Sequence, residues 1–233
     1  MIGTLRHNEV VIDSGGDTLF GTLTMPREAA AIILFAHGSG SSRFSPRNKQ
    51  VAQYFNDRGL GTLLFDLLTA EENDIDELTR QYRFDIPLLG RRLDGAVDWL
   101  VAGEDFRDMP LGLFGASTGA AAALITAADR PGAIFAVVSR GGRPDLAGAA
   151  LGSVRAPVLL IVGGHDSDVI DLNRRAAAQL ACEHEVRIVP GATHLFPEPG
   201  KLDEVCRLAA DWFEHYLAAA KAGSKRPPWV LSI

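Results

Sequence analysis

Along the chain, hydrophobic and polar positions are first mixed in EVVID and TLFGTLTM, on either side of Ser14-Gly15-Gly16-Asp17. Valine, isoleucine and threonine flanking turn residues predict two strands joined by a tight turn. AAIILFA then runs apolar throughout and ends at His37-Gly38. LGTLLFDLL, LGLFGAS, AIFAVVS and APVLLIVGG repeat that character, and EVRIVPG has it more weakly. Between these runs the spacing becomes helical. Helices are predicted near 46–58, over 85–101 with Leu88, Leu89, Leu93, Val97 and Leu100 on one stripe, over 118–129, near 169–181 and over 201–220.

Strands that are apolar along their whole length are buried on both faces, as in parallel sheets covered by helices. Their alternation with helices predicts an α/β fold, a doubly wound, mostly parallel sheet with helices on both faces. Residues 1–220 read as one domain. The stretch SRGGRPDLAGAALGSVRA before Pro157 is too short for a substantial cap domain. The tail 221–233 reads as irregular or docked coil. Its Trp229, Val230, Leu231 and Ile233 are apolar enough to dock on the body or on a partner chain, which leaves a homodimer open.

Composition narrows the classes. A net charge of −6 argues against a nucleic-acid-binding footprint, which needs clustered Lys and Arg. No apolar run reaches the ~18 residues of a membrane span, and MIGTLRHNEVVIDSGG has no signal-peptide core. The two cysteines, Cys182 and Cys206, make no disulfide scaffold and read as reduced. The expectation is a cytoplasmic protein that engages neither nucleic acid nor membrane.

In doubly wound sheets, sites form beyond the carboxyl ends of the strands. The loops after Phe35, Leu67, Phe114, Val138, Val162 and Val189 are therefore where chemistry is expected. The run Gly115-Ala116-Ser117-Thr118-Gly119 falls between an apolar strand and a helix, the context that gives G-x-S-x-G its meaning. A serine on so sharp a turn has its hydroxyl lifted above the sheet, and the neighbours two residues away must be small. A serine also needs a base. His194, after the last predicted strand and behind Gly191, is better placed than His7, His37, His165, His184 or His215. An acid must hold the imidazole; Asp166 is the candidate. Asp168 is the runner-up and is read instead as a cap of the next helix. The order Ser117, Asp166, His194 is that expected of α/β-hydrolases.

An oxyanion needs backbone donors, expected from Thr118 and from Ser39 in His37-Gly38-Ser39-Gly40, with His37 bracing that loop. Neither glycine-rich segment carries the Gly-Lys-Ser/Thr element of a phosphate loop. His165-Asp166-Ser167-Asp168 lacks a matching ligand cluster, so no metal or other cofactor is expected. Arg140 is a candidate substrate contact; Phe44, Leu68, Phe84 and Phe196 are candidates for pocket walls and equally for the core. For Arg140 and Arg143 alike, at a strand's carboxyl end, a pair with Asp145 or with solvent is favoured over binding of a substrate carboxylate. Arg43 and Arg47 raise the same question, and residues 69–84 read as a solvated excursion.

FAHGSGSSRFSPRN, LLFDLLTAEE, FGASTGAAAAL, SRGGRPDLA, GGHDSDV and GATHLF together resemble the α/β-hydrolase superfamily, and within it the dienelactone hydrolase-like group. The resemblance covers roughly 10–217. HGSGSSRFSPRN followed by DLLTAEE is similar to small serine hydrolases, some of which occur joined to phosphoribosyltransferase domains; no such domain is expected within this sequence. The resemblance implies Ser117 as nucleophile, Asp166 as acid, His194 as base, and Ser39 and Thr118 as the oxyanion hole. The dienelactone hydrolases proper have cysteine where this chain has Ser117, so the reading shifts from dienelactone towards small carboxylic esters or lactones in general. A perhydrolase would use the same triad, whereas a dehalogenase would want a carboxylate at the elbow. The alternative of a different class is a catalytically silent module that binds a small acyl ligand.

Overall fold

The computed structural model describes residues 5–223. The chain runs through β1 (Arg6–Ser14), β2 (Asp17–Met25), β3 (Ile32–Ala36), α1 (Pro46–Asp57), β4 (Gly61–Phe65), α2 (Ala70–Thr79) and α3 (Ile86–Ala102). It continues through β5 (Leu111–Ala116), α4 (Thr118–Asp129), β6 (Ile134–Arg140), a 3-10 helix (Pro144–Ser153), β7 (Val158–Gly163), α5 (Ser167–Ala177), β8 (His184–Val189) and α6 (Lys201–Gly223). Trp229, Val230, Leu231 and Ile233 lie outside the described residues. No helix of the described residues is long and apolar enough to cross a membrane.

The strands form one sheet in the order β1-β2-β4-β3-β5-β6-β7-β8. β2 pairs antiparallel with β1 and β4, and from β4 to β8 the pairing is parallel. The β1–β2 turn is the two-residue Gly15-Gly16 link, both in the left-handed region at φ 67° and 93°. Only glycine takes such angles without a steric penalty.

The wholly apolar strands sort their side chains by alternation. Ile33 and Phe35 of β3 join Phe55 of α1, Phe114 of β5 and Phe213 of α6 in the core on one face. Ile32, Leu34 and Ala36 join Leu93 and Val97 of α3 and Ala121, Ala122 and Ala123 of α4 on the other. The first core is built on aromatics. Phe35 and Phe114 lie 4.9 Å apart between ring centres, and Phe55 and Phe213 meet edge to face at 5.6 Å. The second core is built on alanines, which bring α4 close to the sheet. α3 and α4 are joined at their exposed ends by Arg130, which donates to both Asp94 and Asp98.

Three segments carry more structure than their sequences announce. Residues 69–84 are largely exposed, as expected, but they are ordered as α2 and they border a cavity lined by Thr69, Ala70, Asn73 and Arg83. Thr69 and Glu72 form a reciprocal cap on α2. Asp76 is buried, and its carboxylate accepts from the amides of Tyr82 and Arg83 and from Arg83 Nε at 2.6–2.9 Å. Burial pushes this carboxyl up, but those hydrogen bonds prevail and hold it below its ordinary value. The segment's order rests on one buried polar group, while Leu78 is 88% exposed, so no apolar periodicity marks it. The loop expected after β6 contains the 3-10 helix, broken at Gly148 (φ 54°); no inserted cap lies there. Finally, α5 begins at Ser167 with Asp166 in the N-cap position, so Asp168 lies in the first turn and does not cap it.

The aromatic core predicts a specific cost. Phe55→Ala should destabilise the protein by about 3–5 kcal/mol, because a ring flanked by three others leaves a void the sheet cannot close. Urea unfolding followed by tryptophan fluorescence would measure it. A loss below ~1 kcal/mol would mean that this face repacks freely.

Candidate active site

β5 ends at Ala116 and α4 begins at Thr118, so Ser117 alone makes the corner, at φ 50° and ψ −121°. For a residue with a side chain this costs on the order of 1–3 kcal/mol and persists only where its surroundings hold it. Three backbone bonds do so. Ser117 N–H donates to Arg140 O (3.3 Å), while Ser117 O accepts from the amides of Arg143 (3.0 Å) and Ala120 (3.1 Å). The flanking glycines serve different clearances. A Cβ on Gly115 would stand 2.5 Å from Ala120 Cα and 2.7 Å from Gly119 O, inside the first turn of α4. A Cβ on Gly119 would stand 2.1 Å from Ala36 O, at the end of β3.

Asp166 and His194 meet because the loops after β7 and β8 are bonded to each other. Gly164 N–H donates to Val189 O (2.8 Å) and His165 N–H to Ala192 O (2.9 Å). His194 Nδ1 and Asp166 Oδ2 are 2.6 Å apart. Asp166 makes no side-chain bond to the helix it begins, so its carboxylate is given to the imidazole. Glu198 holds the His194 loop by accepting from both the amide (3.0 Å) and the hydroxyl (2.6 Å) of Thr193. Hydrogen bonds from Thr193 keep this carboxyl below its ordinary value. Ser117 and His194 flank one step of β6. Ser117 bonds Arg140 O, and a Cβ on the next residue, Gly141, would stand 2.9 Å from His194 O. No hydrogen bond joins the Ser117 hydroxyl to His194 among the described residues; such contacts are often loose before substrate binds.

The loop after β3 packs onto the serine, a Cβ on Gly38 standing 2.9 Å from Ser117 Cβ. His37 braces this loop as expected. Its Nε2 accepts from the Leu67 amide (3.1 Å), so its proton sits on Nδ1 and is donated to Gly38 O (3.0 Å). Asp66, which sequence reasoning passed over, secures the other end by accepting from the Arg43 amide (2.8 Å) and pairing with the Arg43 guanidinium. Among the described residues, no protein acceptor engages the amides of Ser39 or Thr118. A cavity of about 270 Å³ opens beside Ser39, walled by Phe20, Phe44, Leu68, Asn73 and Arg83. It adjoins Ser117 through Gly38, and neither Ser117 nor His194 lines it.

The remaining candidates separate. Phe44 stands at the rim, 55% exposed, with the Arg43 guanidinium 4.2 Å from its ring centre. Phe196 is no wall of this cavity: it is 1% exposed in the α1/α6 core and holds φ 57° two residues beyond His194. It therefore anchors the His194 loop from below. Arg143 pairs with both oxygens of Asp145, at 2.9 and 2.8 Å. Arg140 is buried beneath the site and does not line the cavity. Asn173 of α5, which carried no sequence signal, donates to Gly142 O (3.0 Å) and steadies the turn that holds Ser117.

Burial, opposed by the Gly38 bond and by Asp66, lowers the pKa of His37 from its ordinary 6.5. The unfolded chain thus takes up this proton at a higher pH than the folded one. Stability is complete above about pH 6.5 and falls as pH drops towards the folded value, by up to ~1.4 kcal/mol per pH unit. Urea midpoints between pH 7.5 and 5 should show this slope and lose that part of it in His37→Gln. Equal slopes would contradict the neutral, doubly bonded imidazole.

No family model matches the chain. Two Mycobacterium tuberculosis proteins, each named "Putative phosphoribosyl transferase", are 53% identical to it over 213 residues, which is 91% of this chain and 47% of each of theirs. The chain thus spans about half the length of the curated relatives it matches. The crystal structure of a dienelactone hydrolase from Anabaena variabilis is 54% identical, with a TM-score of 0.90 over 91% of this chain and 98% of that one. Est1E from Butyrivibrio proteoclasticus shares the fold at a TM-score of 0.75 and 17% identity, over 90% of this chain and 99% of its own. With the elbow, the sheet order and the loop positions already in place, the chain belongs to the α/β-hydrolases, in their dienelactone hydrolase-like group.

Proposed function

We propose that this hydrolase cleaves small carboxylic esters or lactones through an acyl-enzyme formed on Ser117. The observation that carries this reading is the 2.6 Å contact between His194 Nδ1 and Asp166 Oδ2, made by a carboxylate diverted from its own helix, beside a serine at φ 50°. A carboxylate at Nδ1 leaves the lone pair on Nε2, the atom that must take the serine proton.

The steps follow. Ser117 Oγ attacks the ester carbonyl as His194 Nε2 removes its proton, and Asp166 stabilises the imidazolium. The tetrahedral oxyanion is received by the amides of Ser39 and Thr118, whose freedom from protein acceptors supports that role. Collapse breaks the carbon–oxygen bond to the alcohol, which leaves with the proton from His194. A water molecule, deprotonated by His194, then attacks the acyl-enzyme; the bond from the acyl carbon to Ser117 Oγ breaks as His194 returns the proton to Oγ, and the acid departs. The cavity beside Ser39, with Phe44 at its rim, suits a short apolar portion of the substrate. The short 3-10 segment in place of a cap suits an open site.

Intact-protein mass after exposure to a fluorophosphonate tests this. One adduct is expected on the wild type, none on Ser117→Ala, and a much slower one on His194→Ala. Hydrolysis of a short-chain nitrophenyl ester should fall by about 10³-fold or more in each variant. Activity of Ser117→Ala within ~2-fold of wild type would remove the serine from the mechanism. A folded wild type that takes no adduct would favour the silent binding module.

A further inference from the structure

Arg140 ends β6 in the row of Ala136 and Val138, which faces α1 and α6. It is only 6% exposed. Its Nη1 is shielded from solvent without a partner, and its guanidinium makes no hydrogen bond or ion pair with any described residue. Arginine is seldom buried unless a carboxylate accompanies it, because desolvating a lone cation is costly. Here the charged neighbour is a second cation, Arg47, in the first turn of α1. Burial first, and then Arg47, pull Arg140 down to about 10, so it stays protonated at neutral pH.

The other neighbours do not compensate. Cys206, pushed up to about 12 by burial, is a neutral thiol. Asp203, beside it on α6, accepts from Gln50 Nε2 at 2.9 Å and exerts no resolved effect on Arg140. Arg47 repeats the deficit, since its Nε is buried with no partner.

We propose that Arg140 and Arg47 form a binding site for a small oxyanion, a carboxylate or phosphate group, between the carboxyl end of β6 and the first turn of α1. Two planar guanidinium forks from different elements match the oxygens of such a group. An anion between them relieves both their mutual repulsion and the buried charge. The amide end of α1, a helix of 12 residues, adds a favourable dipole. Arg47 is half-buried and provides the way in. The site stands apart from the reading of Ser117 and does not require that serine to be reactive.

Inorganic phosphate and acetate are the probes, titrated calorimetrically and in thermal melts at constant ionic strength, with chloride as reference. The wild type is expected to bind one probe per chain and to melt higher in its presence. Arg47→Gln should weaken binding about tenfold, the loss of one charged contact. Arg140→Met should abolish binding while melting in chloride no lower than the wild type, since a lone buried charge has been removed. Tighter binding of phosphate would assign a phosphate-bearing ligand, and tighter binding of acetate a carboxylate. No binding of either probe at millimolar concentration would overturn the proposal. So would unchanged binding in Arg47→Gln, which decides the matter by itself if Arg140→Met does not fold.

Discussion

The backbone at Ser117 is held where a residue with a side chain resists going, and the neighbouring elements are arranged around that constraint. At φ 50° and ψ −121° the chain turns from β5 into α4 in one residue. So tight a turn drives the first turn of α4 against β5 and against the end of β3. Gly115 and Gly119 are required at those two contacts, and alanines along α4 let the helix lie close behind. The strain is carried by the end of β6 and the turn after it, whose Arg140 carbonyl and Arg143 amide bind the serine backbone on both sides. Asn173 holds the intervening turn through Gly142. The geometry of this corner is thus a property of three neighbouring strand ends, not of the five-residue motif.

The sheet order converts this local corner into a constellation. β3, β5, β6, β7 and β8 are successive neighbours in parallel register, so their carboxyl-end loops lie side by side in one row. The order along that row is the Ser39 loop, Ser117, the Arg140–Arg143 turn, Asp166 and His194. From Ser117 onward, backbone bonds tie neighbours together: Ser117 to the β6 turn, Gly141 to Ile161 of β7, His165 to Ala192. Separation in sequence, 28 residues between Asp166 and His194, therefore places no strain on their 2.6 Å contact.

What could be read in the sequence was what repeats or what sits at a strand end. Apolar runs gave the strands, and helical spacing gave α3 nearly to its ends. The Gly-x-Ser-x-Gly run, with Asp166 and His194 after their own strands, gave the candidate residues. What escaped reading depends on single polar contacts without periodicity. α2 is organised by one buried carboxylate, Asp76, in a segment whose acidic-then-basic composition looks solvated. Asp66 and Asn173 act on backbone groups of distant loops, and no local pattern announces such partners. Phe196 reads as a pocket wall beside His194, yet its positive φ turns the ring inward.

Charge at the carboxyl end of the sheet separates two arginines that look alike in SRGGRPD. Arg143 lies beyond the strand, where the chain is free to bring it onto Asp145, two residues away. Arg140 is the last residue of the strand, and alternation commits its side chain to the interior. The carboxylates of the segments beyond the strand ends are already engaged: Asp66 with Arg43, Asp76 with Arg83, Asp145 with Arg143, Asp166 with His194. A fold that pairs these acids with partners and still buries a guanidinium beside another guanidinium has left one interaction to be completed from outside the chain. Composition could not show this, because the chain as a whole is acidic. The excess of positive charge is local, fixed by strand register, and lies directly beneath the step of backbone that holds Ser117.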